Sequence, residues 1–321
     1  MTATDLLLLE QLRKWLEQGQ HCWLCTVIET WGSAPRPVGS LMAFNSAGQI
    51  AGSLSGGCVE DDLLQRVLDA TPASAPQTIG YGASAEENER LGLPCGGNLK
   101  IVVEALAPNE QSITHIAALL AATQQRQCVR RQLDLTTGEF SLQACGEFET
   151  LRVCEGQLLH TLGPRYQLLL IGAGELSRML AQMALAFDYQ IIVCDPRQQL
   201  IDDWPLEQVI ALQGMPDDIV RDYVKDAFSV VLALTHDPRI DDMGLMEALQ
   251  SPAFYVGALG SKKTAEKRRT RLQQLDLSAN AIQRLHAPVG LAIGAKTPAE
   301  IAIAILADLV QVRAAQRQHQ L

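Results

Sequence analysis

The run Tyr166-Gln-Leu-Leu-Leu-Ile171, followed at once by Gly172-Ala-Gly174-Glu-Leu-Ser177, leaves the chain little choice of fold. A short, continuous apolar run bounded by glycine reads as a strand buried on both faces. The glycines permit a tight strand-to-helix turn, and the pattern predicts a helix through about Phe187. Gln190-Ile-Ile-Val-Cys194 is the next strand, ending at Asp195. Strand, glycine turn, helix, strand and an acid about 20 residues on is the layout of a parallel unit that holds phosphate groups at a helix N-terminus. Ser177 fills the third small position, where helix and strand pack closely. Gly172, Gly174 and Asp195 are therefore candidate binding residues. Glu175, beside the turn, would repel a pyrophosphate if ionised and turned inward, which counts against NAD.

Further units of the same kind follow. Ser229-Val-Val-Leu-Ala-Leu-Thr235 leads into His236-Asp-Pro-Arg-Ile-Asp-Asp242 and a helix from Met243 to Leu249. Ala253-Phe-Tyr-Val256 leads into Gly257-Ala-Leu-Gly-Ser261 and a basic helix opened by Lys262 to Arg269. Ligands of open α/β sheets bind beyond the carboxyl ends of the strands, so His236, Gly257, Gly260 and Ser261 join the candidates. The bland readings are a capping histidine bonded to Asp237 and a solvated face for Lys262 to Arg269. Thr297 before Pro298 predicts an N-cap with proline at the first position of a helix through Val312.

Gly163-Pro-Arg165 marks a boundary. The fold class is α/β: a mixed α+β domain with Cys-Gly-rich loops at 1–162, then a Rossmann-like parallel-sheet domain at 163–321. In the first half, Leu8, Leu9, Leu12, Trp15 and Leu16 predict an amphipathic helix, and Trp23 to Glu29 a strand. Thr30-Trp-Gly-Ser-Ala-Pro-Arg-Pro37 is a stiff loop holding Arg36, which suits a phosphate or carboxylate or a plain surface role. Gly52-Ser-Leu-Ser-Gly-Gly-Cys-Val-Glu60 places Cys58 at the start of a helix, where the dipole favours a thiolate. Gly92-Leu-Pro-Cys-Gly-Gly-Asn98 places Cys95 in a second permissive loop. Two such loops suit a soft, anionic or sulfur-containing ligand, met by Cys58, Cys95 and the backbone of Ser55, Gly56, Gly57, Gly96 and Gly97. The alternative is two tight turns with inert cysteines. Cys22-x-x-Cys25 lies within a strand, where residues three apart face opposite ways, so it is not expected to hold a metal.

A net charge of −10 leaves no broad basic face for nucleic acid. No run approaches the roughly 20 apolar residues that span a bilayer. Leu6 to Leu9 is too short for a signal sequence and is followed by Glu10. A cytoplasmic location is expected, with reduced thiols among the eight cysteines.

Taken together, Gly32-Ser-Ala-Pro-Arg-Pro-Val-Gly39, Gly52 to Glu60, Gly92 to Gly97, Leu234-Thr-His-Asp-Pro238, Tyr255 to Ser261 and His286 to Pro298 resemble the XdhC/CoxI family. The resemblance covers most of the chain, with both domains in the family's order. It implies a non-catalytic accessory protein of molybdenum hydroxylases such as xanthine dehydrogenase or aldehyde oxidoreductase. Such proteins bind the molybdenum cofactor (molybdopterin or molybdopterin cytosine dinucleotide), protect it, assist its sulfuration and insert it into the apo-molybdoenzyme. The implied partners are that enzyme and a cysteine desulfurase, and a homodimer is the generic expectation. Cys58 and Cys95 match family cysteines, and the resemblance implies transient contact with the metal, whose soft sulfur environment thiolates suit. The ligand is expected against loops of both halves. Many members carry histidine where this chain has Glu175, which leaves that position's role open. The alternative is an NAD(P)-dependent oxidoreductase with Cys58 in redox chemistry. A third reading is a structural adaptor between desulfurase and molybdoenzyme.

Overall fold

A computed structural model describes residues 3–31, 36–55, 58–69, 75–82, 98–145, 149 and 151–318. The chain divides into two compact units, Met1–Pro164 and Arg165–Leu321.

The first unit contains two antiparallel sheets. Strands β1 (Cys22–Trp31), β2 (Leu41–Asn45), β3 (Ile50–Gly52), β4 (Gln77–Tyr81) and β5 (Asn98–Leu106) lie in the order β3-β2-β1-β5-β4. Strands β6 (Val129–Asp134), β7 (Phe140–Ala144), β8 (Arg152–Cys154) and β9 (Gln157–Leu162) lie in the order β7-β6-β9-β8. Central β1 is covered on both faces. Cys22 and Leu24 pack with helices α1 (Ala3–Glu17) and α3 (Glu110–Gln124), and Trp23, Cys25 and Val27 pack with α2 (Cys58–Asp69). Cys22 and Cys25 thus face opposite cores, as their spacing predicts. Burial pushes the Cys22 thiol up to about 12. Burial, with Glu104 nearby, holds Cys25 well above the usual thiol range. The five apolar residues read from the opening helix are all buried, each worth about 1.5–3 kcal/mol.

A buried charged cluster pins α3 and β6 to β5. Arg131 Nε donates to His115 Nε2 at 2.8 Å and Arg131 Nη2 donates to Glu104 Oε2 at 2.7 Å. His160 on β9 lies across from Arg131. Burial first, and the Arg131 charge second, push both His115 and His160 down to about 3. Their folded pKa values lie below the unfolded value near 6.5, so the unfolded chain binds more protons in the window from about 3 to 6.5. The stabilisation is complete above that window and is lost as pH falls through it. Each histidine is expected to remove about 2 kcal/mol between pH 7 and pH 5. Native-state hydrogen exchange of β5 and β6 amides measures this loss, which His115→Gln should roughly halve. A flat profile would contradict the assignment.

In the second unit, β10 (Gln167–Ile171), β11 (Gln190–Asp195), β12 (Ile210–Gln213), β13 (Ser229–Ala233), β14 (Tyr255–Ala258) and β15 (Leu285–His286) form one sheet, ordered β12-β11-β10-β13-β14-β15. Every pairing is parallel. Alternate residues of β10 feed two cores. Leu169 and Ile171 pack with α6 (Pro216–Tyr223), α7 (Pro238–Gln250) and α8 (Lys262–Gln274), and Leu168 and Leu170 pack with α4 (Glu175–Ala186) and α10 (Pro298–Gln318). Helices α5 (Gln198–Asp202) and α9 (Ala279–Gln283) are single short turns. This is a doubly wound Rossmann sheet, with its switch point between β10 and β13.

The predicted cap of α10 forms. Thr297 Oγ1 accepts from the Glu300 amide at 3.3 Å, and Glu300 Oε2 accepts from the amides of Thr297 at 2.9 Å and Lys296 at 2.8 Å. Helix α7 begins earlier than its sequence pattern predicts, at Pro238 rather than Met243. Asp237 caps it, accepting from the Arg239 amide at 3.0 Å, and Pro238 occupies the first position. The short, half-exposed edge strand β12 and the helix α6 after it have no counterpart in the sequence pattern, because an edge strand lacks the continuous apolar signal of a central one. Among the described residues, no helix is long and apolar enough to cross a membrane.

Candidate functional site

The carboxyl ends of β10 and β13 meet at the switch point. Gly172 has φ +104°, and a Cβ there would lie 2.7 Å from Thr235 Cγ2 and 3.2 Å from the Thr235 backbone. Glycine lets the two turns touch. Gly174, by contrast, has open space above it. It caps α4 with no side-chain hydrogen bond, so the first-turn amides remain for a ligand or water. These amides and the helix dipole favour an anion.

Asp195, fully buried, is occupied within the protein. Its Oδ2 accepts from the Ala173 amide at 3.0 Å and Arg197 Nη2 at 2.8 Å, and its Oδ1 accepts from the Arg197 amide at 3.0 Å and Arg197 Nε at 2.8 Å. Burial alone would raise the Asp195 carboxyl, but these donors outweigh it and hold the group below its ordinary range. Both oxygens already accept two hydrogen bonds, so recognition of a ribose diol would require displacing Arg197. The same geometry sets the Arg197 guanidinium beside the glycine turn, because it shares Oδ2 with the Ala173 amide. Arg197 remains largely exposed and adds a cation where the amides already favour a phosphate.

The next two loops are tied together by Arg268, a member of the basic run whose bland reading is a solvated face; the fold instead buries it. Arg268 Nη2 donates to Asp241 Oδ2 at 2.8 Å, Nε to Asp242 Oδ1 at 2.9 Å, and Nη1 to the Leu259 carbonyl at 3.2 Å. Asp241 Oδ1 in turn accepts from the Thr235 amide at 3.1 Å and its hydroxyl at 2.7 Å. One buried guanidinium therefore fixes the turns after both β13 and β14. His236, in the turn after β13, is exposed and adopts φ +66°. Asp237 pairs with Arg239 at 2.8 Å, as well as capping α7. Ser261 caps α8, accepting from the Thr264 amide at 3.1 Å, and Gly260 has φ +152°. Gly257 lies inside β14, where a Cβ would meet Val289, Leu232 and Tyr255, so its missing side chain serves packing. Glu175 is the first residue of α4 and is exposed.

In the first unit, Glu60 reaches back from α2 to the loop that precedes Cys58. One oxygen accepts from Ser53 Oγ at 2.9 Å, the Leu54 amide at 3.0 Å and the Ser55 amide at 2.7 Å. The other accepts from Ser55 Oγ. Gly52, with φ +80°, opens this loop against β2. The Ser55 donors assigned to a ligand by sequence thus hold an internal carboxylate, which fixes the loop's shape. Helix α2 begins at Cys58, as the glycine-rich approach predicts. The Cys58 side chain lies outside the described residues, as do Gly56, Gly57, Cys95, Gly96 and Gly97. Arg36 is exposed. Among the described residues no group of three or more His, Cys, Asp or Glu could hold a metal ion.

These arrangements define a two-unit protein, with a glycine turn and an open helix N-terminus on a Rossmann sheet in the second unit and a serine- and cysteine-bearing loop in the first. The model of the XdhC Rossmann domain matches residues 168–309 and that of the XdhC and CoxI family matches residues 15–82. The chain belongs to the XdhC and CoxI family. It is similar to a protein of Bacillus subtilis described as a probable xanthine dehydrogenase component, with 25% identity over 93% of this chain and 95% of the relative. It is also similar to PaoD, a molybdenum cofactor insertion chaperone of Escherichia coli, with 26% identity over 94% of this chain and 87% of the relative. A crystal structure of a xanthine dehydrogenase from Bacillus halodurans superposes with a TM-score of 0.77 and 26% identity, covering 99% of this chain and 97% of the other.

Proposed function

We propose that this protein is a carrier that binds the molybdenum cofactor, protects it, supports its sulfuration and inserts it into an apo-molybdoenzyme of the xanthine dehydrogenase or aldehyde oxidoreductase type. The observation that carries the reading is the uncapped first turn of α4, open above Gly174, with Arg197 set beside it by Asp195. Molybdopterin bears a phosphate and its cytosine dinucleotide form a pyrophosphate, and either suits free amides next to a guanidinium. The Escherichia coli relative, a molybdenum cofactor insertion chaperone over nearly the full length of both chains, supports the same reading. Cys58 and Cys95 would supply soft donors to the metal centre as cargo in transit. Asp195, already saturated, weighs against the alternative of an NAD(P)-dependent oxidoreductase. A cysteine desulfurase is the proposed sulfur source, a second copy of this chain the proposed partner in a homodimer, and the cytoplasm the proposed location.

Delivery is tested by reconstitution. A cofactor-free molybdenum hydroxylase is incubated anaerobically with molybdenum-loaded molybdopterin, a cysteine desulfurase and cysteine, with and without this protein. Activation is expected to rise at least tenfold when the protein is present, and Cys58→Ala should forfeit most of that gain. Equal activation with and without the protein would refute an insertion role. Activation that Cys58→Ala leaves intact would favour an adaptor that does not touch the metal.

A further inference from the structure

We infer that Cys128 and Cys145 form a reversible disulfide site that reacts with small-molecule disulfides of the glutathione type. The pairing of β6 with β7 ends at Val129 opposite Ala144, so Cys128 and Cys145 face each other one step beyond. The Cys145 amide donates to the Cys128 carbonyl at 3.0 Å, extending the ladder to this pair. The Cys145 thiol donates to Cys128 Sγ at 3.2 Å. Directly opposed, hydrogen-bonded residues of an antiparallel pair have Cα atoms about 5.5 Å apart. That lies within the roughly 4.4–6.8 Å a disulfide spans. The sulfurs need to approach by only about 1 Å to reach bonding distance, with no change of register.

Three of the other cysteines, Cys22, Cys25 and Cys194, are buried, whereas Cys128 and Cys145 are half-buried and open to a small reagent. Cys154 is exposed, but it lies opposite Gln157 in β9, with no thiol across from it. A metal reading lacks support, since no third ligand joins the pair among the described residues.

The chemistry balances as ordinary thiol–disulfide exchange. The Cys145 thiolate attacks one sulfur of the small disulfide, forms a mixed disulfide and releases one small thiol. Cys128 then attacks the Cys145 sulfur, closes the protein disulfide and releases the second. Two protein thiols give up two electrons and two protons, and the small disulfide is reduced to two thiols. Burial first, and the contact with Cys145 second, push the Cys128 thiol up, which disfavours Cys128 as the first attacking group. The second step is intramolecular, with the two sulfurs already 3.2 Å apart.

The test equilibrates the full-length protein, without oxygen, in glutathione buffers of increasing oxidised fraction. Samples are quenched with acid, alkylated and mapped as peptides by mass spectrometry. Two of the eight thiols should disappear together, with a linked peptide joining Cys128 to Cys145 and an unchanged circular dichroism spectrum. Cys128→Ser should leave Cys145 carrying a glutathione adduct instead of a link. The inference is overturned if both cysteines remain alkylatable in buffers that already modify Cys154. It is equally overturned if either one bonds to a different cysteine, or if closing the bond disrupts the fold.

Discussion

Replacing Arg268 with alanine is expected to destabilise the second unit by about 3–5 kcal/mol, the cost of leaving buried charges without their partner. Arg268 bridges Asp241, Asp242 and the Leu259 carbonyl from an almost fully buried position. Arg271 bonds Asp242 at 2.6 Å and would keep that carboxylate partly paired. Asp241 would retain only the Thr235 amide and hydroxyl. Burial already raises its carboxyl despite Arg268 and Thr235, so the variant should recover stability as pH falls and Asp241 takes up a proton. Arg268→Lys should restore only part of the loss, because an ammonium lacks the planar fork that reaches two acids and a carbonyl. Urea unfolding followed by hydrogen exchange in β13 and β14 reads the effect. A loss below about 1 kcal/mol would mean that the bridge is no stronger than a surface ion pair.

The second large effect is expected at Gly52. A Cβ there would sit 2.5 Å from the Leu41 carbonyl oxygen and 2.5 Å from Leu8 Cδ1, at a backbone φ of +80°. Leu8 can change rotamer, but Leu41 belongs to β2, whose pairing with β1 fixes its carbonyl. Left-handed strain costs about 1–3 kcal/mol and overpacking about 1–3 kcal/mol. Gly52→Ala should therefore cost roughly 2–6 kcal/mol in the first unit. It should also displace Ser53 to Ser55 from Glu60, so loss of protection at the Leu54 and Ser55 amides is the local signature. Normal stability with those amides still protected would show that the turn adapts, and would remove Gly52 from the set of residues shaping the cysteine loop.

The second unit is legible in the sequence because its signals are local. An apolar strand, two glycines and an acid close behind one another specify the switch-point turn, and Thr297-Pro298 specifies the start of α10. The opposed faces of Cys22 and Cys25 follow from strand geometry alone. What escapes a reading of the sequence are interactions between distant residues. Arg268 looks like one more cation in a basic helix until Asp241 and Asp242 are found beneath it. Glu104, His115 and Arg131 come from a strand, a helix and a second strand, and no spacing rule joins them. The same holds for Cys128 and Cys145, which only the β6–β7 register brings together. Glu60 and Asp195 teach a related lesson. Each is an acid near a glycine-rich turn, and Asp195 is a candidate ligand contact on that ground, yet each takes up donors of its own turn. Sequence identifies the loops, while the carboxylates that shape them emerge only from the folded chain.

The most direct test of the proposed cofactor carrier is an anaerobic equilibrium titration of the wild-type protein with molybdopterin, repeated with excess NAD or NADP as competitor. Tight binding of molybdopterin is expected, undisturbed by either nucleotide and weakened at least tenfold by Arg197→Ala. Displacement of the pterin by NAD or NADP, or binding of the nucleotides with no binding of the pterin, would contradict the proposal and make nicotinamide chemistry the leading alternative.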